Sequence, residues 1–129
     1  MNNFSLYTLM SLCFLLNSNT LQGQNTELIS VNQMQKLLMQ DSVQLIDVRT
    51  AVEFYKGHIK NAQNIDFFSP DFDLKMAALD NSKPLILYCR SGRRSAKSVL
   101  KLVDKGYEII YDLQGGIIQW ISDGNQIVK

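Results

Sequence analysis

Cys89 is followed directly by Arg90, Ser91, Gly92, Arg93, Arg94 and Ser95. Cysteine attacks as its thiolate, and each of these neighbours favours that form. Gly92 permits a positive φ, so closely spaced N–H groups can turn inward as an anion-binding nest. A helix opening at Ser95 adds the partial positive charge of its N-terminus. Arg90, Arg93 and Arg94 add full charges. The chemistry indicated is nucleophilic attack by sulfur, with the anionic adduct kept in the same ring of donors. The bland alternative is a solvated basic patch on an ordinary turn. Cysteine, glycine and helix start all fall within one short loop, and that agreement favours the chemical reading.

Two other groups have suggestive spacing. Asp47 and Arg49 fall at the end of a second strand, expected near the same edge as Cys89. Arg49 and Glu53 are spaced to pair on a helical turn, which reads as support for the site rather than catalysis. His58 is the only histidine. One His and one mature Cys give no ligand set for a metal, and no cofactor is expected.

The elements that must position these residues are legible in the pattern. Ser30 and Gln33 have capping-box spacing ahead of a helix predicted over 31–40. A strand follows over 43–48, a helical turn over 51–57 stopped by Gly57, and a brief strand over 62–66. Pro70 can open a helix that runs to about Leu79. "LILYC", 85–89, is an apolar run without alternation, the mark of a parallel strand buried on both faces. A helix from Ser95, stopped by Gly106, a strand over 107–113 and a short helix after Gly115-Gly116 complete the chain. Strands alternating with helices predict an α/β fold: a central, mainly parallel β-sheet flanked by helices on both faces, in three layers, α/β/α. Ligands in such sheets bind beyond the carboxyl ends of strands, where Cys89 is placed.

The whole chain sets the context. Its 129 residues suffice for one domain, and the net charge of +1 gives no case for nucleic acid as a partner. The first 26 residues carry no Lys, Arg, Asp, Glu or His, and 4–16 are mostly apolar. Residues 1–23 are read as a signal peptide, too short to span a bilayer comfortably, with 24–129 as the mature domain. The expected location is outside the cytoplasm, in the periplasm, without stable membrane insertion once the leader is removed. An apolar leader that stays attached is the alternative. Cys13 follows the bulky Leu12, so lipidation there is not expected. Removal of the leader leaves Cys89 as the one cysteine. A lone thiol in an oxidising compartment is a hazard unless it is used.

"CRSGRRS" after a hydrophobic strand resembles the active-site loop of a rhodanese domain, a sulfurtransferase module. "LIDVRTAVEFYKGHIKNAQNI", 45–65, is similar to that family's first signature, and "GYEIIYDLQGGIIQW", 106–120, to its closing segment. The likeness runs from about residue 30 to the end, with no clear pattern over 66–80. It implies a rhodanese-like fold and a double displacement. Cys89 takes the outer sulfur of an anionic donor such as thiosulfate, sulfite leaves, and the Cys89 persulfide passes its sulfur to cyanide, a thiol or a protein thiol. Arg90, Ser91, Gly92, Arg93, Arg94 and Ser95 would bind substrate, with Asp47 and Arg49 in support. In the family the "KGHI" stretch packs and hydrogen-bonds in the scaffold, so His58 is not expected to be catalytic. Trp120 and the glycine pair read as core packing and helix entry.

Two rivals stand beside this reading. Cysteine phosphatases and arsenate reductases use C-x5-R, and here the residue six after Cys89 is Ser95, with Arg94 one position early. A non-catalytic binding module or a redox relay is the other. Thioredoxin-like chemistry wants C-x-x-C, and Gly92 stands where the second cysteine would be.

Overall fold

The computed structural model describes residues 25–129. The leader and Cys13 lie outside the described residues. In chain order the elements are β1 (Asn25–Ile29), α1 (Val31–Leu38), β2 (Gln44–Asp47), α2 (Ala51–Lys56), β3 (Gln63–Asn64), α3 (Phe72–Ala77), β4 (Leu85–Tyr88), α4 (Arg93–Leu102), β5 (Ile109–Leu113) and α5 (Gly116–Ser122). The five strands form one sheet in the order β1-β5-β4-β2-β3, and every pairing is parallel. Helices cover both faces, as the alternating pattern implies.

The central position of β4 follows from its composition. Leu85, Ile86, Leu87 and Tyr88 are all fully buried, and each such aliphatic side chain contributes about 1.5–3 kcal/mol of burial. Leu85 and Leu87 pack with Phe72 and Met76 of α3 and Leu102 of α4. Ile86 and Tyr88 pack on the other face with Val31 and Met34 of α1 and Ile117 and Trp120 of α5. A strand flanked by helices on both faces has no polar side, and so its sequence does not alternate.

Local signals account for several element starts. Ser30 and Gln33 form the predicted reciprocal cap on α1, with Gln33 N–H donating to Ser30 Oγ at 3.2 Å and Ser30 N–H to Gln33 Oε1 at 2.8 Å. Gly92 adopts the expected left-handed conformation, φ 110°. Three details differ from expectation. The polar stretch before Ser30 ends in strand β1, which aligns with β5 from Asn25 opposite Ile109 to Ile29 opposite Leu113. Pairing along a sheet edge, and not side-chain periodicity, makes that strand. Helix α3 opens at Phe72, because Ser69 to Asp71 close a turn first, with Phe72 N–H donating to Ser69 O at 3.1 Å. Helix α4 opens at Arg93, because Gly92 itself serves as its N-cap. Among the described residues no helix is long and apolar enough to cross a membrane.

Candidate active site

Cys89 directly follows β4 and is 1% exposed. The left-handed turn at Gly92 folds the chain back over it, so Gly92 N–H donates to Cys89 Sγ at 3.1 Å. The thiol donates in turn to Ser95 Oγ, 3.6 Å away, and Ser95 Oγ donates to Gly92 O at 3.2 Å. Ser95 is fully buried in the first turn of α4. The sulfur thus faces a backbone donor and a hydroxyl at the positive end of a ten-residue helix.

The loop is gripped from behind by α5. Ile117 N–H donates to Cys89 O at 2.9 Å and Ile118 N–H to Arg90 O at 3.2 Å. These carbonyls accept from α5 and so leave the sulfur side to donors. Gly116 makes the approach possible: its φ is 60°, and a Cβ there would stand 2.5 Å from both carbonyl oxygens. The glycine pair is therefore a loop support as well as a helix entry.

The three arginines divide. Arg90 and Arg93 are exposed, as is Ser91. Arg94 is half-buried and pairs with Glu53 of α2, with Nη1 to Oε2 at 2.7 Å and Nη2 to Oε1 at 2.8 Å. The Glu53 hydrogen bond raises the Arg94 pKa against the opposing effect of burial, and the charge of Cys89 adds to the rise. Glu53 in turn is held down to about 2, first by Arg94 and against its own burial, with Thr50 assisting. Its carboxylate also accepts from Thr50 N–H at 2.9 Å and closes the cap of α2. One side chain therefore starts α2 and anchors the loop that follows Cys89.

The expected Arg49–Glu53 pair does not form. Arg49 precedes the α2 cap, so the two residues do not share a helical turn, and Arg49 turns back onto Asp47 at the end of β2. Its Nη2 donates to Asp47 Oδ2 at 2.7 Å and its Nε to Oδ1 at 3.0 Å, while the Arg49 N–H donates to Oδ1 at 2.9 Å. Nη2 also reaches Gly57 O at 2.7 Å. Burial opposes the Arg49 charge, but the Asp47 carboxylate outweighs it, and the guanidinium pKa is raised. Asn64 Nδ2 ties this turn to β3, donating to the carbonyls of Asp47 and Arg49 at 3.0 and 2.8 Å. Asp47 and Arg49 thus support the sheet edge beside β4, where Tyr88 O accepts from Val48 N–H at 3.0 Å. His58 stacks on Phe54 with ring centroids 3.7 Å apart, and its Nδ1 lies 3.0 Å from Phe54 O, a scaffold contact.

Sequence reasoning did not find Asp112. It lies near the carboxyl end of β5, is 8% exposed, and its Oδ1 is buried without a hydrogen-bond partner among the described residues. Its signal was faint: one acid in a strand whose other residues are Ile109, Ile110, Tyr111 and Leu113.

This geometry can be set against known proteins. A sulfurtransferase of Allochromatium vinosum is 32% identical over 102 residues, covering 79% of this chain and 94% of that protein. The thiosulfate sulfurtransferase GlpE of Shewanella oneidensis is 32% identical over 92 residues, 71% of this chain and 89% of its own. A rhodanese-related protein from Thermoplasma volcanium superposes with a TM-score of 0.70 at 29% identity, covering 79% of this chain and 97% of that one. Residues 30–123, nearly everything from α1 to the end of α5, match the rhodanese-like domain, and the chain belongs to that family.

Proposed function

We propose that the chain is a sulfurtransferase that carries sulfane sulfur from an anionic donor such as thiosulfate to a thiophilic acceptor through a persulfide on Cys89. The observation that carries this reading is the sulfur at the carboxyl end of the central strand, with the Gly92 N–H 3.1 Å away and aimed at it. The Cys89 thiolate attacks the outer sulfur of thiosulfate, the S–S bond breaks, and its electron pair leaves on sulfite. The Gly92 N–H, the Ser95 hydroxyl and the start of α4 stabilise the negative sulfur that remains. The exposed Arg90 and Arg93 draw in the dianion and steady sulfite as it departs. Arg94 acts differently, by tying the loop to Glu53. Cyanide, a thiol or a protein thiol then takes the outer sulfur and frees Cys89. The relatives named sulfurtransferase and thiosulfate sulfurtransferase support the donor chemistry. The charge-free apolar leader supports export to the periplasm.

Intact mass spectrometry after incubation with thiosulfate tests the reading. One added sulfur atom is expected, lost again on cyanide treatment with release of thiocyanate. Cys89→Ser should gain none. Thiocyanate formation that survives in Cys89→Ser would refute the assignment, as would hydrolysis of p-nitrophenyl phosphate without any sulfur transfer. Mass analysis of the periplasmic fraction locates the mature N-terminus, and a chain retained whole in the cytoplasm defeats the export proposal.

A further inference from the structure

A groove of about 260 Å³ runs beside the active-site loop, between α2 and α5. Glu53 and Lys56 line its α2 side, Ile118 and Ile121 its α5 side, and Arg90 and Ile127 complete it. Both helices start at the loop and run away from it. In the first turn of α5, Ile117 N–H and Ile118 N–H donate to the carbonyls of Cys89 and Arg90 at 2.9 and 3.2 Å. In the first turn of α2, Glu53 holds Arg94, the neighbour of Ser95. Lys56 and Ile121 each lie one turn further out, about 4.5 Å along the helix axis. The near end of the groove therefore borders Arg90, the residue after Cys89, and the far end borders Lys56. At that far end the C-terminal tail is fixed in place. His58 N–H donates to Val128 O, and Val128 N–H to His58 O, both at 2.8 Å. Ile127 packs so closely on Gly57 that a Cβ there would stand 2.5 Å from its Cδ1.

The fold does not require two features of this groove. Ile118, Ile121 and Ile127 are 44%, 48% and 38% exposed. Helix α5 is seated by the buried Ile117 and Trp120, so polar residues at 118 and 121 would serve the fold equally well. Apolar side chains gathered on one exposed surface mark a binding site, whereas scattered ones do not. The charge is also one-sided. Arg49 is neutralised by Asp47 and Glu53 by Arg94. Lys56 and Arg90 are exposed and enter no ion pair among the described residues. An apolar floor with an unpaired cation at each end fits an apolar chain that is anionic at both ends. Pockets for drug-sized ligands hold about 300–1,000 Å³, so this smaller groove takes a short chain and not a folded domain. Thiosulfate and cyanide have no apolar body and leave the isoleucines unused. A thiol acceptor can use them.

We infer that the groove between α2 and α5 is the acceptor subsite, and that it takes a small aliphatic thiol with a carboxylate tail. A subsite of this kind presupposes sulfur transfer through Cys89, the proposed function. The carboxylate pairs with Lys56, and the methylene chain lies on Ile118, Ile121 and Ile127. The thiol end reaches Arg90, which sulfite has vacated and whose charge favours the thiolate. That thiolate attacks the outer sulfur of the Cys89 persulfide. A new S–S bond forms, the old one breaks, and its electron pair returns to Cys89 Sγ. One thiolate and one persulfide give one persulfide and one thiolate, so neither oxidant nor reductant is consumed.

The test is sulfur transfer from the thiosulfate-loaded full chain to mercaptoacetate, ω-mercaptohexanoate and ω-mercaptohexanol. Each buried CH₂ contributes about fourfold in binding, so mercaptohexanoate should show a KM about tenfold or more below that of mercaptoacetate. Mercaptohexanol, which lacks the charge, should fall between them. Ile121→Ser should remove most of the preference for the longer chain. Lys56→Gln should remove the preference for the acid over the alcohol. Each variant is read as the ratio of thiol to cyanide turnover in that same variant, because a merely structural role would lower all acceptors alike. Equal KM values for the three thiols, or losses parallel across all acceptors, overturn the assignment. Equal use is also what a groove built for a protein segment or a second copy of this chain would give. Binding alone is read by titrating the unloaded chain with hexanoate and following amide NMR signals. Shifts at Lys56, Ile118 and Ile121 are expected, and their absence overturns the assignment whatever the transfer rates. A missing sulfur adduct on Cys89 is instead the failure of the sulfurtransferase reading, and the hexanoate titration then decides the groove by itself.

Discussion

Asp47 and Asp112 are the same residue type at the same edge of one sheet, and both are buried. Their surroundings are opposite. Asp47, ending β2, meets Arg49 with both oxygens and also accepts a backbone N–H. Asp112, near the end of β5, leaves Oδ1 without a partner among the described residues, and burial raises its pKa. A fully paired buried carboxylate is a fixed charge that holds its turn in place. An unpaired one is pushed by burial toward its neutral form. The difference shows that one side-chain type at one sheet edge holds a fixed charge or resists it, according to what faces it.

The comparison breaks most visibly at Asp47. Asp47→Ala strands Arg49 in the interior, and loss of one partner of a buried pair costs about 3–5 kcal/mol. Urea unfolding should show it directly; a loss within error of zero would mean that the pair carries no structural weight. Gly116→Ala extends the contrast from side chains to backbone. The left-handed φ costs about 1–3 kcal/mol in a residue with a Cβ, and the new methyl group also collides with the carbonyls of Cys89 and Arg90. Sulfur loading should fall more steeply than stability, as paired thermal melts and mass analysis would reveal.

Asp112→Asn should have the opposite sign to Asp47→Ala. The folded-state pKa of Asp112 is raised, so its contribution to stability is complete below the ordinary carboxylate value of 3.8 and is lost as pH rises through the raised value. The Asn variant lacks that loss. It should melt higher than wild type at neutral pH, by on the order of 1 kcal/mol, with the gap closing in acid. A gap that widens in acid would contradict the account. The smallest effect is expected from Glu53→Gln, because exposed and half-exposed ion pairs contribute about 0.2–1 kcal/mol. Here the sign reverses again: Glu53 is depressed from 4.5 to about 2, so its contribution is complete above pH 4.5 and is lost as pH falls toward 2. Acid titration of the melting temperature, wild type against variant, measures that window.

Much of this was legible in one dimension. The Ser30–Gln33 cap, the unbroken apolar run of β4, the left-handed Gly92 and the placement of Cys89 beyond a strand end all follow from local rules. Those rules act between residues a few positions apart. The choice of partner for Arg49 was not legible, because spacing offered Glu53 while the cap at Thr50 turned Arg49 away. Strand β1 was hidden for a related reason: an edge strand needs only a backbone to pair with, and β5 lies far along the chain.

By itself, then, the sequence determined the order of elements from α1 onward, the buried centre of the sheet and the place of Cys89 beyond a strand end, since propensity, periodicity and turn chemistry are written in neighbouring residues. Tertiary structure alone decided which charges cancel and which stay open. Glu53 reaches Arg94, Gly116 presses on the carbonyls of Cys89 and Arg90, and Asp112 is buried with Oδ1 unpartnered among the described residues. Burial and electrostatics depend on distance in space, and only the folded sheet brings β2, β4 and β5 to a common edge.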